Sequence, residues 1–290
     1  MIHYLPPTLG SHFDGFQDLA ILAEDARELF SNRLEVDFSR CAVFDPNMAA
    51  PLAAVLAEIA DRFNTIEIVR VPMVIERILR KNRFLVMYGY SPIEEETPTT
   101  IPLRRIQLSD EGLFAEYIQQ HISGKGIPSI SDALGRVLRQ SIFEVFQNAV
   151  IHSQSRLGVF VCGQFLPLDQ RLQLTLADAG VGIHANVQKF LGREISSADA
   201  LRWVLEAGNT TKIGAQPGGV GLKFVKEFIS ANRGKLQIVS HRGYYEFCDG
   251  KDNFQDFTAD FPGTTVNMQI NTADTNAYGS KSEISPNDIF

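Results

Sequence analysis

Three short segments in the second half of the chain carry residues that could do chemistry. In the first segment, Glu144 and Asn148 stand four residues apart in a stretch that predicts a helix, so both lie on one helix face. His152 follows after four more residues. A carboxylate beside a neutral amide can activate a water molecule and hold a hard cation through oxygen atoms. The same spacing is also typical of a solvated pair, so it needs support from the other segments.

The other two segments predict sites for a flat base and for phosphate groups. The sequence DAGVGI (178–183) directly follows a predicted strand, and an acid at a strand end can accept a hydrogen bond from an exocyclic amine. Its two glycines allow the backbone to turn and to approach a flat ligand closely. The sequence GGVGL (218–222) stands directly before a predicted helix, where backbone N–H groups can cradle a phosphate. Each motif alone is also an ordinary turn, so the order of all three carries the specificity.

The elements that must position these segments alternate between helical and strand patterns. The segment 171–178 alternates leucine with polar residues, which predicts a strand with one buried face. The other elements predicted around the motifs are helices near 110–122, 130–153, 198–207 and 222–231, and strands at 156–165, 235–240, 243–248 and 264–270.

Together, the three segments resemble the motifs of the GHKL (Bergerat-fold) ATPases, a family that includes the ATPase domains of DNA gyrase and of the histidine kinases. The family's boxes are matched in chain order by residues 144–148 (N box), 178–183 (G1 box) and 218–222 (G2 box). The pair Gly263-Thr264 resembles the glycine-threonine pair that enters the family's last core strand. The resemblance covers residues 101–272, and the sequence EVFQNAVIH is most similar to the corresponding helix of anti-sigma-factor serine kinases.

The resemblance implies a role for each matched residue. Glu144 would be the catalytic general base, and Asn148 would bind the Mg²⁺ that bridges the phosphates of ATP. Asp178 would recognise the adenine amino group, and Thr264 would support that contact through its hydroxyl or a water molecule. The other implied cofactor-binding residues are Gly180, Gly182 and Ile183 at the base and ribose, and Gly218, Gly219, Gly221 and Leu222 at the phosphates. Residues 184–217 would form a mobile lid over ATP.

The implied function is that of a Mg²⁺-ATP-binding regulatory protein in signalling, and two classes stay open. In the first, the chain is an ATPase or a serine/threonine kinase of the anti-sigma-factor type, in which Glu144 deprotonates water or a protein hydroxyl. In the second, it is a non-catalytic ATP-sensing module whose lid closure controls the docking of a partner. A general base favours the first class, since a sensor needs none. No upstream histidine stands in the phospho-acceptor context of histidine kinases, which argues against a true histidine kinase.

Residues 1–90 predict a separate small α/β domain, because strand patterns alternate with helical ones. Over 34–85, the order of strand, Asp45, helix, strand and helix resembles a STAS domain. No serine follows Asp45, although in that family a serine at this position accepts phosphate, so a phosphorylation site here is in doubt. The segment 91–100, rich in proline and glutamate, predicts a linker, and residues 273–290 predict a polar tail.

The expected fold class is therefore α/β, arranged as an α+β two-layer sandwich. We expect a Bergerat ATP-binding fold over 101–272, with a mixed sheet that helices cover on one face. The STAS-like domain would precede it.

Composition limits the classes of function further. The chain has 290 residues, of which 44% are hydrophobic and 21% charged, which excludes collagen-like and wholly disordered proteins. A net charge of −7 disfavours nucleic acid as a partner. The three cysteines lack CxxC spacing, and no stretch approaches the ~18 apolar residues of a membrane span. We expect a cytoplasmic protein without membrane association and with a regulatory protein partner, and a homodimer stays open.

Overall fold

The computed structural model describes residues 1–94, 99–122, 132–206 and 221–274. Part of the predicted linker, Gly218 and Gly219 of the predicted phosphate motif, and the predicted tail from residue 275 onward lie outside these residues. We call residues 1–94 the N-terminal part and the described residues from 99 onward the C-terminal part.

The N-terminal part contains two small parallel sheets with helices between their strands. Its elements are β1 (Ile2–Tyr4), β2 (Thr8–Leu9), α1 (Phe13–Asp25), β3 (Arg33–Asp37), β4 (Val43–Phe44), α2 (Ala49–Asp61), β5 (Thr65–Val69) and α3 (Met73–Lys81). One sheet has the strand order β1-β3-β5, and in the other β2 pairs with β4. Parallel neighbours need long crossover connections, which α1 and α2 supply. Over 34–85, β3, α2, β5 and α3 follow the predicted order of strand, helix, strand and helix, whereas β1 and β2 precede that range and are not predicted.

The C-terminal part forms one five-stranded sheet with helices packed against it. Its elements are β6 (Thr100–Ile106), α4 (Glu111–Ile122), α5 (Asp132–His152), β7 (Val159–Leu166), β8 (Arg171–Asp178), α6 (Gly182–Leu191), α7 (Ser197–Leu205), α8 (Gly221–Asn232), β9 (Lys235–Cys248) and β10 (Lys251–Asn271). The strand order is β6-β7-β8-β10-β9, and the chain is an α+β sandwich of mixed helices and sheets.

The expectation of a mixed sheet in the C-terminal part is wrong, because each of its strand pairings is antiparallel. Short turns join β7 to β8 and β9 to β10, and a short turn between neighbouring strands forces them to run in opposite directions. The mixed character of the chain comes instead from the parallel sheets of the N-terminal part.

Helices cover both faces of the five-stranded sheet. On one face, side chains such as Leu176 and Ile238 pack in a core with α4, α5 and α8, as predicted. On the other face, Ala177 and Val239 belong to a core that is completed by α1 and α2 of the N-terminal part. We call these the helix face and the N-terminal face. Whether residues 1–90 also behave as a separate domain stays a prediction.

The strand β8 shows that the second face is buried as well. The sequence predicts one buried face for it, but Thr175 on the opposite face has no exposed surface. The Thr175 hydroxyl accepts a hydrogen bond from Asn47 Nδ2 (3.2 Å) and donates one to Asn267 Oδ1 (2.7 Å). Polar side chains on this face are therefore part of the contact with the N-terminal part.

The last two strands are longer than the sequence predicts. β9 is continuous where the sequence pattern predicts two strands, although His241 within it has a φ of +55°. β10 begins at Lys251, and its register with β9 shifts between Asp256 and Phe261 and again between Phe261 and Thr264. These irregularities interrupt the alternation of apolar and polar residues, so the pattern reveals only the regular end of the strand.

Among the helices of the described residues, none has the length and apolar character required to cross a membrane.

Candidate functional site

Three polar residues lie side by side at one end of the five-stranded sheet. Thr264 on β10 pairs in register with Asp178 on β8 and with Ser240 on β9. Residues two positions along a strand share a face, and Leu176 and Ile238 belong to the core of the helix face. Asp178, Thr264 and Ser240 therefore form a row on the helix face, which we call the polar row.

Asp178 is a buried carboxyl group without a cationic partner among the described residues. It ends β8 and is 4% exposed, and its Oδ1 atom accepts a hydrogen bond from the Gly180 N–H at 2.8 Å. Burial raises the pKa of Asp178 to about 7, although hydrogen bonds from the backbone of Gly180 and Thr264 act in the opposite direction. Such a group has acceptor capacity that a buried N–H donor could use.

Two glycines with positive φ allow the loops around Asp178 to approach each other. Gly263 has a φ of +73°, and a Cβ atom there would lie 2.1 Å from the Asp178 carbonyl oxygen. Gly182 has a φ of +76°, and a Cβ atom there would lie 2.8 Å from Ser240 Oγ. Any other residue at either position would force the loops apart.

Ser240 joins the loop after Asp178 to the segment that carries Thr264, and sequence analysis missed it. Its side chain is fully buried. Ser240 Oγ accepts a hydrogen bond from the Ile183 N–H (2.8 Å) and donates one to the Gly263 carbonyl oxygen (2.9 Å). A lone serine in a strand gives no signal, and only the register of β9 with β10 could have revealed it.

The end of α5 packs directly against the loop after Asp178. The Val181 N–H donates to the Ser153 carbonyl oxygen at 2.8 Å, and Asn186 Nδ2 donates to the His152 carbonyl oxygen at 2.9 Å. The backbone at the end of α5 is therefore tied to the start of α6.

Asn148 lies one helical turn before His152 on α5, and Glu144 lies one turn before Asn148. Both side chains are partly exposed. Within the part of the chain that the structure describes, neither side chain has a hydrogen bond or an ion pair. The amide and carboxylate oxygens of the predicted N box thus remain available to a ligand.

No group of three or more His, Cys, Asp or Glu residues that could hold a metal ion occurs among the described residues. A site built from protein side chains alone does not fit this arrangement. Mg²⁺ usually keeps several waters and takes few ligands from the protein, so a Mg²⁺ ion carried by phosphate groups fits this arrangement, and the Asn148 amide oxygen would be a ligand for it.

The phosphate motif is described only in part. Gly218 and Gly219 lie outside the described residues, whereas Gly221 begins α8 and Leu222 packs partly buried against the core of the helix face. α8 also packs against α5, so the start of α8 and the predicted N box belong to the same layer.

The predicted mobile lid over 184–217 is only partly described, and its described portion is largely helical. α6 and α7 occupy most of 184–206, and residues 207–217 lie outside the described residues. His184 on α6 has a structural role, because its Nε2 atom is 2.8 Å from the Ile195 carbonyl oxygen and its ring lies 4.7 Å from that of His241. That residues 184–217 close over a nucleotide stays a prediction.

A cavity of about 240 Å³ lies between the two parts of the chain, behind the loops that flank the polar row. Arg27 and Arg62 line it from the N-terminal part. Gly180, Val181 and Gly263 line it from the C-terminal part. The backbone segments that position Asp178 and Thr264 therefore also line the cavity that faces the N-terminal part.

No protein-family model matches the chain. No curated protein matches it either. Among solved structures, it is similar to the histidine kinase domain from the blue-light activated histidine kinase of Erythrobacter litoralis EL346. The identity is 14% and the TM-score is 0.30, with 90% of this chain and 95% of that chain covered. The assignment of the site therefore depends on the geometry described above.

Proposed function

We propose that this chain is a GHKL-type regulatory protein that binds Mg²⁺-ATP and acts in signalling as an ATPase or a serine/threonine kinase of the anti-sigma-factor type. The observation that supports this function best is the buried Asp178 carboxyl, which has no cation beside it among the described residues and stands in a row with Thr264. A buried carboxyl with a strongly shifted pKa is typical of a functional site. The exocyclic amino group of a nucleotide base could donate a hydrogen bond to the Asp178 carboxyl.

In this proposal one set of residues binds the adenine base and another set acts at the phosphates. Asp178 accepts a hydrogen bond from the adenine amino group, and the glycine loop at 180–183 lies against the base and ribose. Asn148 contributes an oxygen ligand to Mg²⁺, and the ion neutralises charge on the phosphate oxygens. Glu144 removes the proton of a water molecule or of a partner's hydroxyl as that oxygen attacks the γ-phosphorus.

The test measures ATP binding and turnover in the same sample of the full chain. Binding of Mg²⁺-ATP and Mg²⁺-GTP is followed by calorimetry, and phosphate release and protein phosphorylation are assayed in parallel. We expect saturable, ATP-selective binding. In Glu144→Gln, ATP should still bind while phosphate release or transfer falls by ~10²-fold or more. Absence of ATP binding in the unmodified chain would contradict the proposal.

A second candidate function is an ATP sensor without catalysis, in which closure around ATP controls the docking of a regulatory protein. The cavity between the two parts favours it, since Gly180 and Gly263, which flank the polar row, also line this cavity. This function predicts that ATP changes partner affinity and that Glu144→Gln preserves this change. Turnover by the unmodified chain, lost in that variant, would favour the enzyme instead.

A further inference from the structure

We propose that Ser240 determines which base the site accepts, by fixing the direction of the Thr264 hydroxyl so that Thr264 offers only lone pairs to the ligand. Ser240 is then a positioning residue, because it acts through Thr264. This inference depends on the proposed function, since it concerns the specificity of the same nucleotide site.

The first step is a count of protons on the Ser240 hydroxyl. A serine hydroxyl has one proton to donate. Ser240 donates it to the Gly263 carbonyl oxygen at 2.9 Å. Its lone pairs accept from the Ile183 N–H at 2.8 Å. A third contact joins Ser240 Oγ to Thr264 Oγ1 at 3.2 Å. Because the Gly263 carbonyl oxygen can only accept, we assign the Ser240 proton to it and make Thr264 the donor in this third contact.

The second step concerns what remains on Thr264. Its only hydroxyl proton points at Ser240, so its oxygen can act toward a ligand only as an acceptor. Thr264 is partly exposed, whereas Ser240 is fully buried, so Thr264 is the member of this pair that a ligand can reach. The arrangement converts a residue that could donate or accept into one that only accepts.

The third step compares the polar row with the edges of the purine bases. Asp178 and Thr264 are paired in register on neighbouring strands, and at a pH above about 7, where Asp178 is ionised, both present acceptors on the same face. Adenine carries an amino group at position 6, which is a donor, whereas guanine and hypoxanthine carry a carbonyl oxygen there, which is an acceptor. Two adjacent acceptors favour the amino group and repel the carbonyl oxygen. Ser240 therefore strengthens the choice of adenine.

The experiment compares Mg²⁺-ATP with Mg²⁺-ITP, whose bases differ in the group at position 6 and in a proton that hypoxanthine carries on N1. The N1 proton is the same for every variant of the chain, so the change in preference between variants is the quantity interpreted. Dissociation constants for both nucleotides are measured by calorimetry with the full chain, Ser240→Ala and Ser240→Thr. In Ser240→Ala, the Thr264 hydroxyl can rotate and donate to the carbonyl oxygen of ITP. We expect the preference for ATP over ITP to fall by about tenfold. In Ser240→Thr, which keeps the hydroxyl, the preference should be retained.

The preference ratio separates this role from a purely structural one. A structural role predicts that Ser240→Ala weakens ATP and ITP binding by the same factor, and that result would overturn the inference. Because Ser240→Ala also removes partners from Ile183 and Gly263, its folding is checked by circular dichroism. If it does not fold, Ser240→Cys serves instead, since a thiol is a weaker hydrogen-bonding group and should lower the ratio partially. An unchanged ratio in Ser240→Cys would then count against the inference.

A double variant sharpens the result. In a Thr264→Val background no hydroxyl remains for Ser240 to orient, so adding Ser240→Ala should leave the ATP-to-ITP ratio unchanged. A further drop in the ratio would show that Ser240 acts by another route. If the unmodified chain binds ATP without preference over ITP, the inference fails while ATP binding stands. If the unmodified chain binds neither nucleotide, the proposed function itself fails.

Discussion

Two buried aspartates, each at the end of a strand, have the same local geometry and opposite electrostatics. Asp37 ends β3 in the N-terminal part, and Asp178 ends β8 in the C-terminal part. Each accepts a hydrogen bond at 2.8 Å from the N–H two residues further on, which belongs to Ser39 in one case and Gly180 in the other. The turn that follows each strand is therefore stabilised in the same way.

The two carboxyl groups differ in their remaining partners. Arg70 donates to Asp37 through Nε at 3.0 Å and through Nη2, and these hydrogen bonds lower the pKa of Asp37 to about 2. Asp178 has no such partner among the described residues, and burial raises its pKa to about 7. The charge of Asp37 is compensated by Arg70, whereas no cationic side chain of the described residues compensates Asp178. A sequence motif of an acid after a strand does not distinguish these cases.

The largest expected effect separates the two aspartates by nucleotide binding. Asp178→Asn replaces an acceptor oxygen with an N–H donor at the place where the adenine amino group would bind. We expect the affinity for ATP to fall by ~10²–10³-fold, because two donors would face each other. The matched variant Asp37→Asn should bind ATP like the unmodified chain. Calorimetric titration measures both. Normal ATP binding by Asp178→Asn would refute the assignment of the site.

The pH dependence of stability should differ in sign between the two groups. The folded-state pKa of Asp178 lies above its ordinary value of 3.8, so the folded state holds the proton more tightly. The free energy of unfolding should therefore decrease as the pH rises from about 4 to about 7, by on the order of 4 kcal/mol. Asp37 has a lowered pKa, so its contribution is present above about pH 4 and is lost as the pH falls toward about 2.

Urea unfolding of the ligand-free chain across this pH range checks the prediction. Asp178→Asn has no carboxyl to titrate at this position, so its curve should be flatter between about pH 4 and about pH 7. Equal slopes for the variant and the unmodified chain would show that Asp178 does not carry a raised pKa.

A third expected effect extends the comparison to uncharged polar groups on the N-terminal face. Asn267 is 2% exposed. Its Nδ2 atom donates a hydrogen bond to Gln237 Oε1 at 2.7 Å, and its Oδ1 atom accepts hydrogen bonds from Thr175 and Asn47. Asn267→Ala removes all three bonds, which should lower the free energy of unfolding by about 2–3 kcal/mol, because buried partners lose their bonds.

The matched control for this variant is Asn253→Ala, which changes an exposed residue on the same strand. It should change stability by less than about 0.5 kcal/mol. Both are measured by urea unfolding, and the ATP-to-ITP preference of Asn267→Ala should equal that of the unmodified chain. A change in this preference would show that the N-terminal face also determines base specificity.

The smallest expected effect comes from the satisfied aspartate itself. Asp37→Asn removes the charge that Arg70 binds, but the Arg70 side chain is 53% exposed, so solvent screens the pair. We expect a loss of about 1–2 kcal/mol in the free energy of unfolding near neutral pH. A larger loss than that of Asn267→Ala would mean that the pair is shielded from water more than its exposure indicates.

The sequence predicts well those features that depend on neighbouring residues. The bounds of β8 at 171–178 are as predicted, since its alternating leucines form a regular pattern. The helix that carries Glu144 and Asn148 is also present, and the order of elements over 34–85 follows the sequence patterns.

The sequence does not predict features that depend on distant residues. The alternating pattern of β8 predicts that Thr175 faces solvent, yet Thr175 is buried against Asn47, which lies more than a hundred positions away in the sequence. Ser240 becomes part of the site only through its register with Thr264 across a long hairpin with two register shifts. Pattern analysis considers one strand at a time, so neither the cover on the second face nor this pairing is visible to it.

The packing of α1 against β10 also has a consequence for the synthesis of the chain. Phe16 and Leu19 of α1 are fully buried in a core that includes Phe257 and Phe261 of β10. The ribosome delivers the helix first and this strand more than two hundred residues later, which takes roughly 10–50 s at common elongation rates. During that interval the apolar side of α1 has no native partner from β10. We expect the nascent chain to require chaperone protection until β10 emerges, and folding to be slow because its decisive contacts join the two ends.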